Sequence, residues 1–187
     1  YDDDLSNICT LGFRGEALPS IAAVSRLQMI SREENSDNGW KIFVENGEPN
    51  VVVPAAHEIG TTVSVQHLFF STPARLKFLK TERTEIAHIR DILGRLSMAH
   101  PEIIFTLSNE VKKLFHSTIA LSSDDIFLHR VASVVGKEFL RNSIPIQADR
   151  DTIKLSGYAS VPTFNRSTTR DQYFFVNGRP IRDKLIY

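Results

Sequence analysis

The first segment of this sequence with residues suited to ligand binding has an aromatic and a basic residue between two glycines. The segment Gly12-Phe13-Arg14-Gly15 stands directly before an apolar run with helical spacing. Backbone N–H groups at such a turn, together with the positive end of the following helix, form a site for an anion, and glycine lets a phosphate approach closely. Arg14 could add a charge-assisted contact to the same anion. An ordinary tight turn is the competing interpretation. Because no G-x-x-x-x-G-K-[ST] segment occurs, any nucleotide site is not of the P-loop type.

A third glycine opens a β-branched run. Gly60 and Thr61 are followed by alternating residues up to position 65, which predicts a strand. The Thr61 hydroxyl at the start of that strand could face the base of a ligand. The same residue types are also usual where a loop enters a strand, so the segment alone leaves both interpretations open.

Two basic segments could contact a nucleic-acid backbone. In residues 68–80, Arg75, Lys77 and Lys80 alternate with apolar residues. In residues 166–187, five Arg or Lys stand against two Asp, and Arg179, Arg182 and Lys184 follow an Asn-Gly turn. This local excess of three positive charges is a credible patch for contacts to a phosphate backbone. A solvated charged face is the alternative for both segments.

Other reactive residue types lack a partner at a useful spacing. The six His show no H-x-x-x-H spacing, so we expect no metal site. Cys9 is the single Cys and has no nucleophile context. Glu16 is the most attractive general base, yet an acidic residue in a first helical turn is expected on dipole grounds alone.

The elements that must position these residues form an α+β pattern. Helices are predicted after Glu16, over residues 82–99, and from the capping sequence Ser122-Ser123-Asp124-Asp125 to Gly136. Strands are predicted at 27–31, 41–45, 51–53, 61–65, 103–107, 111–116, 143–148, 152–159 and 172–176. Antiparallel hairpins with helices between them indicate two α+β units, divided near residue 120.

Composition excludes several classes of protein. With 187 residues, 42% hydrophobic and 24% charged, the chain has the material for a core. Apolar runs of only a few residues predict no membrane-spanning helix, and one Cys suits a reducing, cytosolic compartment. Equal numbers of basic and acidic residues, 22 each, require any nucleic-acid binding to come from local patches. Neither end resembles a natural terminus, which favours a fragment.

Taken together, three segments identify a resemblance. LGFRGEALPSIAAVSRL, GTTVSVQHLFFSTPARLKFL and QYFFVNGRPIRDK resemble the N-terminal region of the MutL family of DNA mismatch repair proteins. The resemblance implies part of a Bergerat (GHKL) ATPase sandwich over residues 1–120, including the ATP lid. It further implies part of a ribosomal-S5-domain-2-like transducer over residues 121–187.

The resemblance also implies site residues. In that family the lid lies against the ATP phosphates, which by position falls on Gly12, Phe13, Arg14 and Gly15. The Gly-Thr element near the adenine falls on Gly60 and Thr61, and the DNA-associated groove on Arg179, Arg182 and Lys184. The family's catalytic Glu, its Mg²⁺-binding Asn and its D-x-G-x-G motif should precede the lid. No catalytic residue and no metal ligand are therefore expected within this chain.

The function implied is an ATP-dependent clamp and matchmaker that couples mismatch recognition to repair, hydrolysing ATP with Mg²⁺. Expected partners are DNA, bound independently of sequence, a MutS-type mismatch recognition protein and, for the full-length protein, a second copy of itself. The expected location is the cytoplasm of a bacterial-type cell, where the protein would associate with the nucleoid when it acts. No membrane partner is expected. The alternative is a non-catalytic DNA- and partner-binding module, and in either case the fragment alone is expected not to hydrolyse ATP. An RNA-binding KH domain built on GFRG does not fit, because no helical pattern precedes Gly12.

Overall fold

The computed structural model describes residues 15–118, 126–165 and 171–183. The chain divides into two compact units, Tyr1–Lys80 and Thr81–Tyr187. Among the described residues, no helix is long and apolar enough to cross a membrane.

The first unit is a short helix followed by an antiparallel sheet. Its elements are α1 (Ala17–Ala22), β1 (Arg26–Arg32), β2 (Gly39–Glu45), β3 (Glu48–Pro49), β4 (Val53–Ala55), β5 (Gly60–Gln66) and α2 (Pro73–Leu76). The strand order is β3-β2-β1-β5, and β4 pairs with the other end of β2. The central strand β1 therefore carries β5, which begins at the Gly60-Thr61 candidate, along its whole length.

The buried part of the first unit lies where α1 meets β1. Ala22 and Leu27 are buried, and the fully buried Ser25 donates its hydroxyl hydrogen to the carbonyl of Ile21 at 2.7 Å. This hydrogen bond satisfies a polar group that would otherwise be costly to bury. It also fixes the short connection between the helix that follows the predicted lid and the central strand.

The second unit contains the two longer helices and three hairpins. Its elements are α3 (Glu82–Ala99), β6 (Thr106–Ser108), β7 (Lys113–His116), α4 (Ile126–Val135), the 3-10 helix η1 (Lys137–Arg141), β8 (Ser143–Arg150), β9 (Ile153–Ser160), β10 (Phe174–Val176) and β11 (Arg179–Ile181). β6 pairs with β7, β8 with β9, and β10 with β11, all antiparallel.

A small apolar core holds this unit together. Met98 of α3, Val131 of α4 and Phe139 of η1 are buried against one another. Partly buried residues packed around them are Phe127, Leu128, Val134, Val135, Tyr158, Phe164, Tyr173 and Phe175. The hairpin that carries the basic candidates is thus anchored, through its aromatic strand β10, on the core formed by the helices.

Most predicted elements are confirmed, with two differences. The helix predicted at 82–99 has the same bounds in the structure, and the Asn46-Gly47 turn adopts the positive φ values, 53° and 82°, that a two-residue hairpin needs. The predicted strand at 51–53 is wrong in extent, since only its last residue is in β4. Val51 and Val52 form no ladder pair with β2, although Pro49 and Pro54 on either side of them pair with Val44 and Trp40.

The second difference concerns hairpin lengths. The predicted pair 103–107 and 111–116 forms, but as the shorter strands β6 and β7. The pair at 143–148 and 152–159 extends further than predicted, to Arg150 and Ser160. The capping sequence predicted at 122–125 lies outside the described residues.

The division into compact units does not coincide with the domain boundary predicted near residue 120. The structure groups α3 with the second unit, because Met98 packs on Val131 and α3 contacts α4. The assignment of residues 1–120 to an ATP-binding domain and 121–187 to a transducer stays a prediction.

Candidate functional site

The nucleotide-site candidates that the structure describes lie around α1 and the start of β5. Gly12, Phe13 and Arg14 lie outside the described residues. Gly15 stands two positions before α1 with φ +65°, a left-handed conformation that favours glycine, and it is exposed. Among the described residues, no atom lies within 4 Å of the place where a Cβ would stand on Gly15.

Gly60 and Thr61 have the geometry of an exposed strand start. Gly60 has φ +127°, and no atom of the residues that the structure describes lies within 4 Å of its virtual Cβ. The Thr61 hydroxyl is 2.8 Å from the hydroxyl of Ser31 on the neighbouring strand β1, and Ser31 also donates to the Gly60 carbonyl at 3.4 Å. A polar pair thus lies at one end of β1 and β5. The sequence pattern indicates Thr61 but not its partner Ser31, because strand register is not readable from either segment alone.

A histidine contacts the second threonine of β5, which follows Thr61. His57 Nε2 is 2.8 Å from the Thr62 hydroxyl, and its Nδ1 is 2.6 Å from the Glu58 carbonyl. These contacts hold the loop before Gly60. His57 therefore positions the start of β5. The sequence did not indicate this role, because no other His stands at a useful spacing from it.

The segment after β5 places one of its basic residues over an aromatic ring. The guanidinium of Arg75, in α2, lies 5.4 Å from the centre of the Phe69 ring. Phe69 itself has φ +66°, which is unusual for a bulky residue, and its N–H donates to the Val24 carbonyl at 2.7 Å. Lys77 and Phe78, which follow α2, are exposed.

The DNA-site candidates lie on the β10–β11 hairpin and just after it. Arg179 is the first residue of β11 and pairs with Val176, while Arg182 follows β11 and is exposed. Lys184 lies outside the described residues. The turn between the strands is Asn177-Gly178, with φ values of 49° and 74°. Arg179 thus begins β11, and Arg182 is the first residue after it.

Arg182 has an acidic partner that the sequence did not indicate. Its Nη2 lies 2.8 Å from Oδ2 of Asp91 on α3. The same carboxylate accepts from Arg95, one helical turn later, at 3.0 Å from Nε and 3.4 Å from Nη2. The Arg95 guanidinium in turn lies 4.8 Å from the centre of the Tyr173 ring. The spacing of Asp91 and Arg95 on a helix was a readable signal for their pairing.

The described residues contain no group of three or more His, Cys, Asp or Glu side chains that could hold a metal ion.

Comparisons with known proteins converge on one family. A family model described as "DNA mismatch repair protein, C-terminal domain" matches residues 131–187. The chain is 49% identical over 186 residues to the DNA mismatch repair protein MutL of Paramagnetospirillum magneticum, and 47% identical over 188 residues to that of Rhodospirillum rubrum. Each match covers 99% of this chain but only 31% and 30% of the relative, so the chain spans about a third of their length.

Solved structures give the same result for the fold. The Aquifex aeolicus MutL ATPase domain complexed with ADP is similar with a TM-score of 0.75 and 30% identity, over 100% of this chain and 68% of that one. A second structure, the ATPase domain from the Aquifex aeolicus mismatch repair endonuclease MutL, has a TM-score of 0.67 and 27% identity, over 94% and 66%. The α+β, GHKL-type class predicted from the sequence is confirmed by these neighbours.

Proposed function

This chain belongs to the MutL family of DNA mismatch repair proteins, and from that premise we propose that it is part of an ATP-dependent clamp that couples mismatch recognition to repair. The observation that carries the proposal is the similarity over 99% of the chain, with the glycine-bracketed segment and the basic hairpin both inside it. The first compact unit supplies contacts to ATP, and the second contacts DNA.

On the nucleotide side, the segment Gly12-Phe13-Arg14-Gly15 would lie against the phosphates of ATP, and Gly60 with Thr61 would lie near the adenine. The space around the virtual Cβ positions of Gly15 and Gly60, which no described atom fills, supports this, because glycine lets a ligand approach the backbone closely. The similar Aquifex aeolicus domain is complexed with ADP.

Magnesium bound with the nucleotide would neutralise charge on the phosphates during hydrolysis. We assign its ligand, and the base that activates water, to the part of the longer relatives that this chain does not span. The residues of this chain have two tasks. They orient the nucleotide through backbone N–H groups, and those that form the lid change conformation when ATP binds.

On the DNA side, Arg179, Arg182 and Lys184 would contact phosphates of either strand without reading bases. The exposed position of Arg182 just after β11 supports a backbone contact, and nothing in the described elements resembles a recognition helix. We further propose the MutS-type recognition protein and a second copy of the full-length protein as partners, in the cytoplasm.

Incubation of the 187-residue chain with ATP and Mg²⁺ tests the division of labour. We expect no hydrolysis above buffer, because the catalytic residues are assigned elsewhere. Phosphate release that depends on the protein, and that survives repurification, would show that this assignment is wrong.

Fluorescence anisotropy with a labelled duplex tests the DNA proposal. Replacing Arg179, Arg182 and Lys184 with Ala, singly and together, should weaken binding equally for duplexes of different sequence. The matched control is Arg141→Ala, which removes an exposed basic residue elsewhere in the second unit. Equal affinities for the control and the triple variant would remove the hairpin from the proposed DNA site.

A further inference from the structure

One carboxylate in the second unit receives two guanidinium groups. Asp91 Oδ2 lies 2.8 Å from Arg182 Nη2 and 3.0 Å from Arg95 Nε, while Asp91 Oδ1 lies 3.4 Å from Arg95 Nη2. Two guanidinium groups that converge on one anionic group form the same arrangement that binds a phosphate, since carboxylate and phosphate are both bidentate acceptors for arginine. Asp91 thus occupies the anion position of a two-arginine site.

The two arginines differ in how firmly they are held. The Arg95 side chain is 11% exposed, contacts both carboxylate oxygens and lies over the Tyr173 ring. The Arg182 side chain is 68% exposed and contacts one oxygen. Asp91 is therefore secured by Arg95, and Arg182 is the partner that can leave.

We propose that a DNA phosphate replaces Asp91 as the partner of Arg182, so that Asp91 acts as an internal competitor that limits DNA affinity. This inference rests on the proposed function, because it requires Arg182 to be a phosphate contact. Asp91 remains paired with Arg95 when Arg182 turns to the phosphate. No unpaired buried charge is left behind, and the exchange is therefore inexpensive.

The size of the effect follows from the exposure of the pair. A solvent-exposed ion pair contributes little, so the competition it exerts is modest. Removing the negative charge with Asp91→Asn keeps an oxygen acceptor for Arg95 and should tighten DNA binding about two- to fivefold at low salt. The gain should shrink as salt rises, since exposed charges are screened.

The experiment compares DNA affinities of four variants of the 187-residue chain by anisotropy, with thermal unfolding as a check of folding. Asp91→Asn is matched by Glu110→Gln, which removes the same charge from the exposed turn between β6 and β7. Asp91→Asn should bind more tightly than Glu110→Gln. In an Arg182→Ala background, Asp91→Asn should give no more gain than Glu110→Gln gives.

A second measurement uses the unaltered protein and does not depend on how Asp91→Asn folds. The Nε–H resonances of the arginine side chains are followed by NMR as the duplex is added. The chemical shift of the Arg182 signal should change as duplex is added and level off when the protein is saturated. The Arg95 signal should not move, because Arg95 stays paired with Asp91.

The outcomes separate the two proposals. If Arg182→Ala leaves DNA affinity unchanged, the proposed DNA site is wrong, and the competition proposal is overturned with it. If Arg182→Ala weakens binding but Asp91→Asn equals Glu110→Gln, the DNA site stands and only the competition by Asp91 is overturned. Equal shifts of the Arg95 and Arg182 signals would likewise overturn the exchange of partners.

Discussion

Arg130 is the largest fully buried side chain among the described residues, and it is charged. Only 1% of it is exposed, and its Nη2 donates to the carbonyls of Pro101 at 2.6 Å and Ile103 at 2.9 Å. These carbonyls follow the end of α3, so the residue ties α4 to the connection between α3 and β6. Burial lowers the pKa of the Arg130 guanidinium below its ordinary value, and the nearby carboxylate of Glu102 offsets only part of this decrease.

Replacement of Arg130 should separate its packing from its charge. Arg130→Ala loses buried volume and two charge-assisted hydrogen bonds, and we expect the free energy of unfolding to fall by about 1–3 kcal/mol. Arg130→Met should lose less, because it fills the space without burying a charge. Urea unfolding followed by the helical circular dichroism signal measures both. A loss from Arg130→Ala no larger than that from the exposed Arg141→Ala would contradict the tethering role.

Gly178 is required by the turn that presents Arg179. It has φ +74°, and no described atom lies within 4 Å of its virtual Cβ, so within the described part of the chain the cost of a side chain there comes from the backbone. Gly178→Ala should weaken the β10–β11 hairpin by about 1–2 kcal/mol, and Gly178→Asn by less, since Asn tolerates the left-handed conformation.

Amide hydrogen exchange within the hairpin measures this cost. A loss of about 1.4 kcal/mol corresponds to tenfold faster exchange through local opening. Exchange in the β8–β9 hairpin is the internal control and should not change. Equal rates for Gly178→Ala and the unaltered protein would show that the turn does not depend on glycine.

At the scale of elements, α3 and α4 meet at a glycine. Gly94 is buried in α3, and a Cβ built on it would lie 3.0 Å from Cγ1 of Val134 on α4. An Ala in a helix interior gains about 1 kcal/mol over Gly, but this contact is too close and Val134 is β-branched with a stiff χ1 angle. The close approach of the two helices therefore explains a residue that helix propensity disfavours.

A double-mutant cycle tests this packing. Gly94→Ala should lower the free energy of unfolding by about 0.5–2 kcal/mol, because overpacking outweighs the gain in propensity. In a Val134→Ala background the same change should become neutral or stabilising, which gives a coupling energy of about 1 kcal/mol or more. Stabilisation by Gly94→Ala in the unaltered protein would mean that Val134 moves aside freely.

Local patterns predicted the elements better than the contacts between them. The bounds of α3 were predictable because apolar spacing, the two acidic residues of its first turn and the proline after its end all indicate the same helix. Val51 and Val52 were misleading, because their strand propensity does not show that the chain leaves the β2 ladder at these two positions. The pairing of Asp91 with Arg182 spans 91 positions, and no local pattern carries that information.

At the scale of the whole molecule, a net charge of zero coexists with a proposed DNA contact. The 22 basic and 22 acidic residues cancel, so the chain has no overall attraction to DNA. Affinity for DNA therefore has to come from contacts between individual arginines and phosphates. Each contact releases counterions, so the salt dependence of the affinity reports the number of contacts.

The salt dependence of binding therefore distinguishes a local patch from the field of the whole molecule. Arg179→Ala and Arg182→Ala should each flatten the plot of log affinity against log salt by ~0.9 per lost phosphate contact. Glu34→Gln adds one positive unit of net charge at an exposed position of the first unit and should leave the slope unchanged. If the Glu34 variant altered the slope as much as the Arg182 variant did, net charge rather than the hairpin would govern binding. A slope that responds only to the two arginines would instead mean that a chain of zero net charge holds DNA through contacts to a few phosphates.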